Sequence, residues 1–178
     1  MDKLKFSDHI EHAVSKANQI LGLIRRSFMY LDIPLLKQLH TTLVRPHLEY
    51  GNTVWHPCFR RDIDLLESVQ HRATRMINGL KKVPCEERLK LINLPSLSYR
   101  RLRGDAIEAY KFVHGKYSVD WSSLLPLADE TSTVVTRGHT FKLKKRDCKT
   151  SVLLNFFSYR IVNFWNSLCR NPLCLLHQ

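Results

Sequence analysis

Residues 43–57, LVRPHLEYGNTVWHP, crowd His47, Glu49, Tyr50, Asn52 and Trp55 together, as an acid–base site would. Such chemistry needs a titratable group within hydrogen-bond reach of a reacting proton, held in place by a neighbour. Three other groupings have suitable residue types. Ser7-Asp8-His9 offers a carboxylate that could orient an imidazole toward a phosphate. His9 and His12, three apart on a helix, could touch one metal ion, and Cys169, Cys174 and His177 lie close in sequence. Asp62 and Asp64 come nearest to a carboxylate pair.

Each grouping lacks what its chemistry requires. Two-metal phosphoryl transfer needs clustered carboxylates that both touch the ions. Asp62 and Asp64, two apart on a helix, point in different directions. The His9–His12 pair has no third ligand at a familiar spacing, and the Cys169–His177 tail carries no pattern. Asp8 with Glu11 reads as a capping box, which gives Ser7-Asp8-His9 an ordinary role at a helix start. No Gly-rich phosphate loop or nucleophile-elbow signature occurs. In 43–57, Pro46 has no N–H to donate, and its ring clashes with the carbonyl of Thr42 in a regular helix. A helix must end near Arg45 or kink there, and Pro46 then suits the start of a new segment with Glu49 in its first turn. Tyr50 and Trp55 read as large joint-filling side chains. The string is expected to be a structural joint, and the chain to carry no catalytic centre, metal or cofactor.

Charge carries more information. The 178 residues hold 28 Lys and Arg against 16 Asp and Glu, a net charge of +12 with a pI near 9.7. A domain this basic suits a polyanion, nucleic acid first. The cations cluster: Arg25 with Arg26; Arg72 with Arg75; Lys81 with Lys82; Arg100, Arg101 and Arg103; and Arg137, Lys142, Lys144, Lys145, Arg146 and Lys149 against Asp147 alone. Such side chains suit backbone phosphates, which position a nucleic acid without reading its bases. The competing reading is a solvated helical scaffold that docks other proteins. Five cysteines, an odd number without a Cys-x-x-Cys, argue for a reducing compartment. The sequence shows no signal-peptide core and no apolar run near membrane-spanning length, so a nuclear or cytoplasmic location is expected and no membrane partner.

The elements that must position these residues are mainly α-helical. A helix starts at Asp8, with Ile10, Val14, Ala17, Leu21, Ile24 and Phe28 on one face. A second begins near Leu35, with Leu36, Leu39 and Leu43 in register. A third covers 61–78, with Ile63, Leu66, Val69, Ala73, Met76 and Leu80 as its stripe and Gly79 as its stop. Pro84 opens a short helix. Ser96 starts another over 97–113, ended by Gly115, with Tyr99, Leu102, Ala106, Ala109 and Val113 buried. Residues 116–137 read as a loop-rich linker, 139–149 as a short strand or β-hairpin, and 152–168 as a last helix that buries Phe157, Ile161, Phe164, Trp165 and Leu168.

From Leu4 to Leu168 these motifs run in an order that resembles a known family. LKFSDHI, KANQILGLIRRSF, LVRPHLEYGNTVWHP, DIDLLESVQHRATRMINGL, ERL, LPSLSYRRLRGDAIEAYKFVHG, TRGHTFKL and FFSYRIVNFWNSL are similar to the region downstream of the polymerase core in reverse transcriptases of jockey-type non-LTR retrotransposons. The resemblance implies a remnant of the palm exit strand at 1–7 and a thumb-like helical bundle at 8–80. Connecting helices at 81–115, the linker at 116–137 and a C-terminal part at 138–178 follow. It implies an RNA-directed DNA polymerase as parent, whose endonuclease and catalytic palm would precede residue 1. Leu168 is followed by Cys169 where the family has Leu-Pro, which fits a truncated or decayed copy. The thumb of the family cradles template–primer duplex. Carried onto this chain, that role falls to Arg25, Arg26, Arg72, Arg75, Arg100, Arg101 and Arg103. The expected partner is an RNA–DNA hybrid or other nucleic acid, alongside a polymerase core supplied in trans.

Overall fold

The computed structural model describes residues 6–118, 120–128 and 141–168. Apolar residues recurring every three or four positions produce its helices. α1 (Ser7–Ser27) buries Ile10, Ala13, Val14, Ala17, Leu21 and Ile24. Its start differs from the expected capping box. The N-cap is Phe6, in the left-handed region at φ 53°, and no side chain caps the helix. Asp8 is already inside the first turn, so its carboxylate is not at the cap. Ser7 Oγ instead donates to Asp62 Oδ2 at 2.8 Å, and Glu11 pairs with Arg61 at 2.7 Å. Phe28, expected on the buried stripe, is exposed because α1 ends at Ser27.

Pro46 shapes the next stretch. α2 (Ile33–Leu39), whose Asp32 carboxylate accepts from Leu35 N–H, runs into a π-helical turn (His40–Val44) and then α3 (Arg45–Glu49). The wider turn lets the chain pass Pro46 without a break: Arg45 N–H reaches back five residues to the carbonyl of His40. A four-residue spacing then lines up along one side, so Leu36, His40, Val44 and Leu48 are buried. Leu43, expected in register with Leu36, is 47% exposed. The same register carries His40 into the core, where it is 1% exposed and neither ring nitrogen has a hydrogen-bond partner.

α4 (Arg60–Thr74) and α5 (Cys85–Ile92, capped by Pro84) follow, then α6 (Leu97–Val113). Ser96 Oγ accepts from Tyr99 N–H at 3.2 Å at the start of α6. Gly115 (φ 61°) adopts the left-handed conformation that ends a helical run without a Cβ clash, whereas α4 ends at Thr74 rather than at 78, so Gly79 (φ 88°) closes the turn that follows and is not the helix stop. α7 (Ser151–Leu154) and α8 (Phe157–Ser167) replace the single helix expected over 152–168. In 139–149 the described residues form one antiparallel bridge, Leu127 to Leu143, rather than a named strand. The tail after Leu168, with Cys169, Cys174 and His177, and all of 129–140 lie outside the described residues.

The chain divides into two compact units, Met1–Arg101 and Leu102–Gln178. The first has a core of α1, α3 and α4 residues, joined by Leu36, Val44, Trp55, Ile92, Leu94 and Leu97. The segment expected to connect the parts, 81–115, is therefore shared between the units. The second unit packs Ala106, Ala109 and Val113 of α6 against Phe157, Ile161, Val162 and Trp165 of α8, with Leu125 and Leu143. Asn166 grips the backbone of Leu143, accepting from its N–H and donating to its carbonyl, both at 2.9 Å. Asp105 and Arg160 form a bidentate pair at 2.8 Å for each bond, with Asp105 buried.

Burial, with Arg45 beside it, lowers the pKa of His40 from 6.5 to about 4, while Glu49 opposes this. The folded value lies below the unfolded one, so the unfolded chain binds the extra proton. The neutral ring contributes its full stability above about pH 6.5, and that contribution is lost as pH falls toward 4. Urea unfolding at pH 7 and pH 5 should show the natural chain losing about 2 kcal/mol more than His40→Leu over this interval. Equal losses would show that His40 is not the group responsible.

Candidate nucleic-acid interface

α1 ends in Arg25 and Arg26, and α4 ends near Arg72 and Arg75. The turn after α4, closed by Gly79, leads to Lys81. These pieces meet in the first unit around an open groove of about 690 Å³. Arg25, Arg72, Arg75 and Lys81 line it with Asn18, Leu21, Gly22, Phe28, Met29, Leu31, Met76 and Asn78. Among the described residues, no Asp or Glu lines the groove. Arg72 Nη1 donates to Asn18 Oδ1 at 3.1 Å, a neutral partner that steadies the guanidinium without cancelling its charge.

Basic residues at helix C-termini have an ordinary explanation, since they offset the negative end of the helix dipole. The magnitudes decide against that as the whole account. Two helix ends supply about −0.5 each, whereas four cations supply +4. A surplus of about three positive charges remains in a concave site, where low-dielectric walls focus the field.

Gly22 lies on the groove face of α1, and a Cβ built there meets nothing within 4 Å. Packing therefore does not require glycine at this helical position, although glycine there weakens the helix relative to alanine. Its effect is to keep the groove floor low.

The other sequence-derived cations fall into separate groups. Arg26 and Lys82 are exposed but do not line the groove. Arg100 and Arg101, expected at phosphates, are placed against carboxylates of the first unit. Arg100 Nη2 donates to Glu49 Oε2 at 2.9 Å, and its Nε donates to Oε1 of the same carboxylate. This hydrogen bonding holds the Arg100 guanidinium above its usual pKa, whereas burial pushes Arg45 down. Arg101 is 2% exposed and turned toward Ser98 Oγ at 3.1 Å and Glu67 at 4.0 Å. A guanidinium so buried cannot reach an incoming phosphate. In the second unit, Arg103 and Lys142 are half-buried, and Lys144 and Lys145 are exposed. Arg146 donates to the carbonyls of Ser123 and Leu124 and lies 5.4 Å over the Tyr159 ring, so it acts as a brace.

The string at 43–57 is a joint. Glu49 is clamped by Arg100 and Arg45, and Trp55 is buried with Nε1 donating to the carbonyl of Tyr50 at 2.6 Å. Gly51 (φ 67°) takes the left-handed backbone of this turn, which side chains rarely adopt. Tyr50 departs from the expectation of a joint-filling side chain: it is 84% exposed because only its backbone serves the joint. His9 packs its ring 5.0 Å from that of Trp55. Among the described residues, no group of three His, Cys, Asp or Glu is placed to hold a metal ion. Among them also, no helix is long and apolar enough to cross a membrane.

No family model and no solved structure matches the chain. It is similar to uncharacterized protein B0403.1 of Caenorhabditis elegans, 26% identical over 118 residues. That alignment covers 65% of this chain and 60% of the worm protein, so the chain spans less than two thirds of that relative.

Structural and surface cations should separate in urea unfolding. Arg100→Ala leaves the Glu49 carboxylate half-buried and short of its main partner, and should cost about 2 kcal/mol. Arg75→Ala should change stability by less than about 0.5 kcal/mol. Equal costs would contradict the division drawn here.

Proposed function

We propose that this chain is a non-catalytic, nucleic-acid-gripping piece of a retrotransposon reverse transcriptase, equivalent to its thumb and following segment. It holds an RNA–DNA hybrid or similar nucleic acid through backbone phosphates. The observation that carries this reading is the convergence of Arg25, Arg72, Arg75 and Lys81 on one groove that, among the described residues, no carboxylate lines. The net charge of +12 supports it, as does the ordered series of motifs from Leu4 to Leu168. Phosphate contacts of this kind carry little base specificity and depend steeply on salt. The polymerase active site would be supplied in trans by a separate palm.

A helical protein-interaction scaffold is the second reading. The observation that favours it is the exposure of Tyr50, Val54 and Phe59 in the connection between α3 and α4. That reading predicts no dependence of nucleic-acid binding on the groove.

Fluorescence anisotropy with a labelled RNA–DNA hybrid across a salt series tests the proposal. Affinity should fall steeply with salt. Removing Arg72 and Arg75 should flatten the log–log slope by about 2. Gly22→Glu places a carboxylate in the groove at a site with open space, so the chain should stay folded by far-UV circular dichroism while binding weakens at least tenfold. A folded chain that ignores the hybrid at low salt would sink the proposal and leave the scaffold.

A further inference from the structure

The wall of the groove holds more than cations. α1 stops at Ser27, and Phe28 turns into extended backbone at φ −122°, ψ 117°. Six consecutive residues, Arg25-Arg26-Ser27-Phe28-Met29-Tyr30, are then exposed before Leu31 returns to the core. Phe28 and Met29 line the groove beside the cations, and Met29 is fully exposed. A site built for phosphates alone needs donors and charge, not an aromatic ring and a thioether on its rim.

We propose that the groove takes an unpaired nucleic-acid strand, its bases against Phe28 and Met29 and its phosphates against Arg25, Arg72, Arg75 and Lys81. The proposal rests on the nucleic-acid reading above and narrows it. In a duplex the base faces are stacked on one another and only sugar–phosphate ridges and groove edges are presented. An exposed apolar wall gains nothing from those. An unpaired strand presents π-faces that stack on an aromatic ring whatever the base, while a charged groove follows the backbone. Methionine adds a polarisable, adaptable surface that accepts flat rings of different size. The groove volume of about 690 Å³ has room for a few base- or sugar-sized groups, whereas a duplex would offer it only a ridge of phosphates. Charge complementarity selects a polyanion over an apolar peptide, because the same wall carries four cations and, among the described residues, no carboxylate.

The test compares three probes with the full chain: labelled oligothymidylate, an abasic strand of the same length, and the RNA–DNA hybrid. The natural chain should bind oligothymidylate about tenfold more tightly than the abasic strand. In Phe28→Ala/Met29→Ala that preference should vanish, while the salt slope and the affinity for hybrid stay unchanged. Both positions are exposed, so the double variant opens no core cavity; circular dichroism checks its fold. Equal binding of oligothymidylate and abasic strand by the natural chain would overturn the unpaired-strand proposal, as would a preference that survives the double variant. Salt-dependent hybrid binding in those cases would leave the phosphate grip standing. Failure of every probe to bind at low salt would overturn both.

Discussion

A missing hydrogen on one nitrogen organises much of the first unit. Pro46 cannot donate to Thr42 and its ring crowds that carbonyl, so a regular helix cannot pass through. The chain answers with one π turn, and the register that follows sets which residues reach the core. Leu36, His40, Val44 and Leu48 go in; Leu43 stays out. The same turn carries Glu49 to where Arg45 and Arg100 close on it. The cost is a buried imidazole without partners, an arrangement that native interiors seldom tolerate. His40 is therefore a consequence of the joint, and its lowered pKa follows from the desolvation that the register imposes.

The positive charge divides by use. Arg100 holds Glu49, Arg101 faces Glu67, and Arg160 holds Asp105. In these pairs the cation is taken from solvent to satisfy a carboxylate inside or beside a core. Four of the remaining cations line the groove formed by α1 and the end of α4, where no carboxylate stands among the described residues. Net charge alone therefore overstates how many cations face a ligand. What matters is which of them lack an acidic neighbour, and that depends on pairings across tens of residues.

The helical architecture was legible because it rests on local spacing. The stripes of α1 and α4, the Ser96 start and the Gly115 stop of α6 all follow from residues within one or two turns of one another. The groove was legible in part: Arg25, Arg72, Arg75 and Lys81 stood out as clusters, but nothing local showed that they share one wall while Arg100 and Arg101 do not. The misses share a cause. The capping box lost to Ser7–Asp62 and Glu11–Arg61, both pairings between distant helices. Leu43 was expected to be buried and is exposed because a 3.6-residue period was applied across a π turn. Asp105 interrupts an apolar stripe, and that interruption was the one available sign of a buried pair, though Arg160 could not be named from it.

The segment between Ile24 and Leu31 shows how a groove and a fold compete. Six residues leave the surface of the core and return, and three of them are Phe, Met and Tyr. Burying a side chain of that size is worth about 1.5–3 kcal/mol. One more turn of α1 would have placed Phe28 on the buried stripe that runs through Leu21 and Ile24. Instead the helix stops, and that contribution to stability is forgone at the rim of a groove lined by Arg25, Arg72, Arg75 and Lys81. Gly22 points the same way, since alanine would strengthen the helix there without a clash. A chain under selection for stability alone would have extended the helix and filled the floor. That the departures from it fall together, beside Arg25 and Arg72, is the physical argument for treating this groove as a binding surface rather than a gap in the packing.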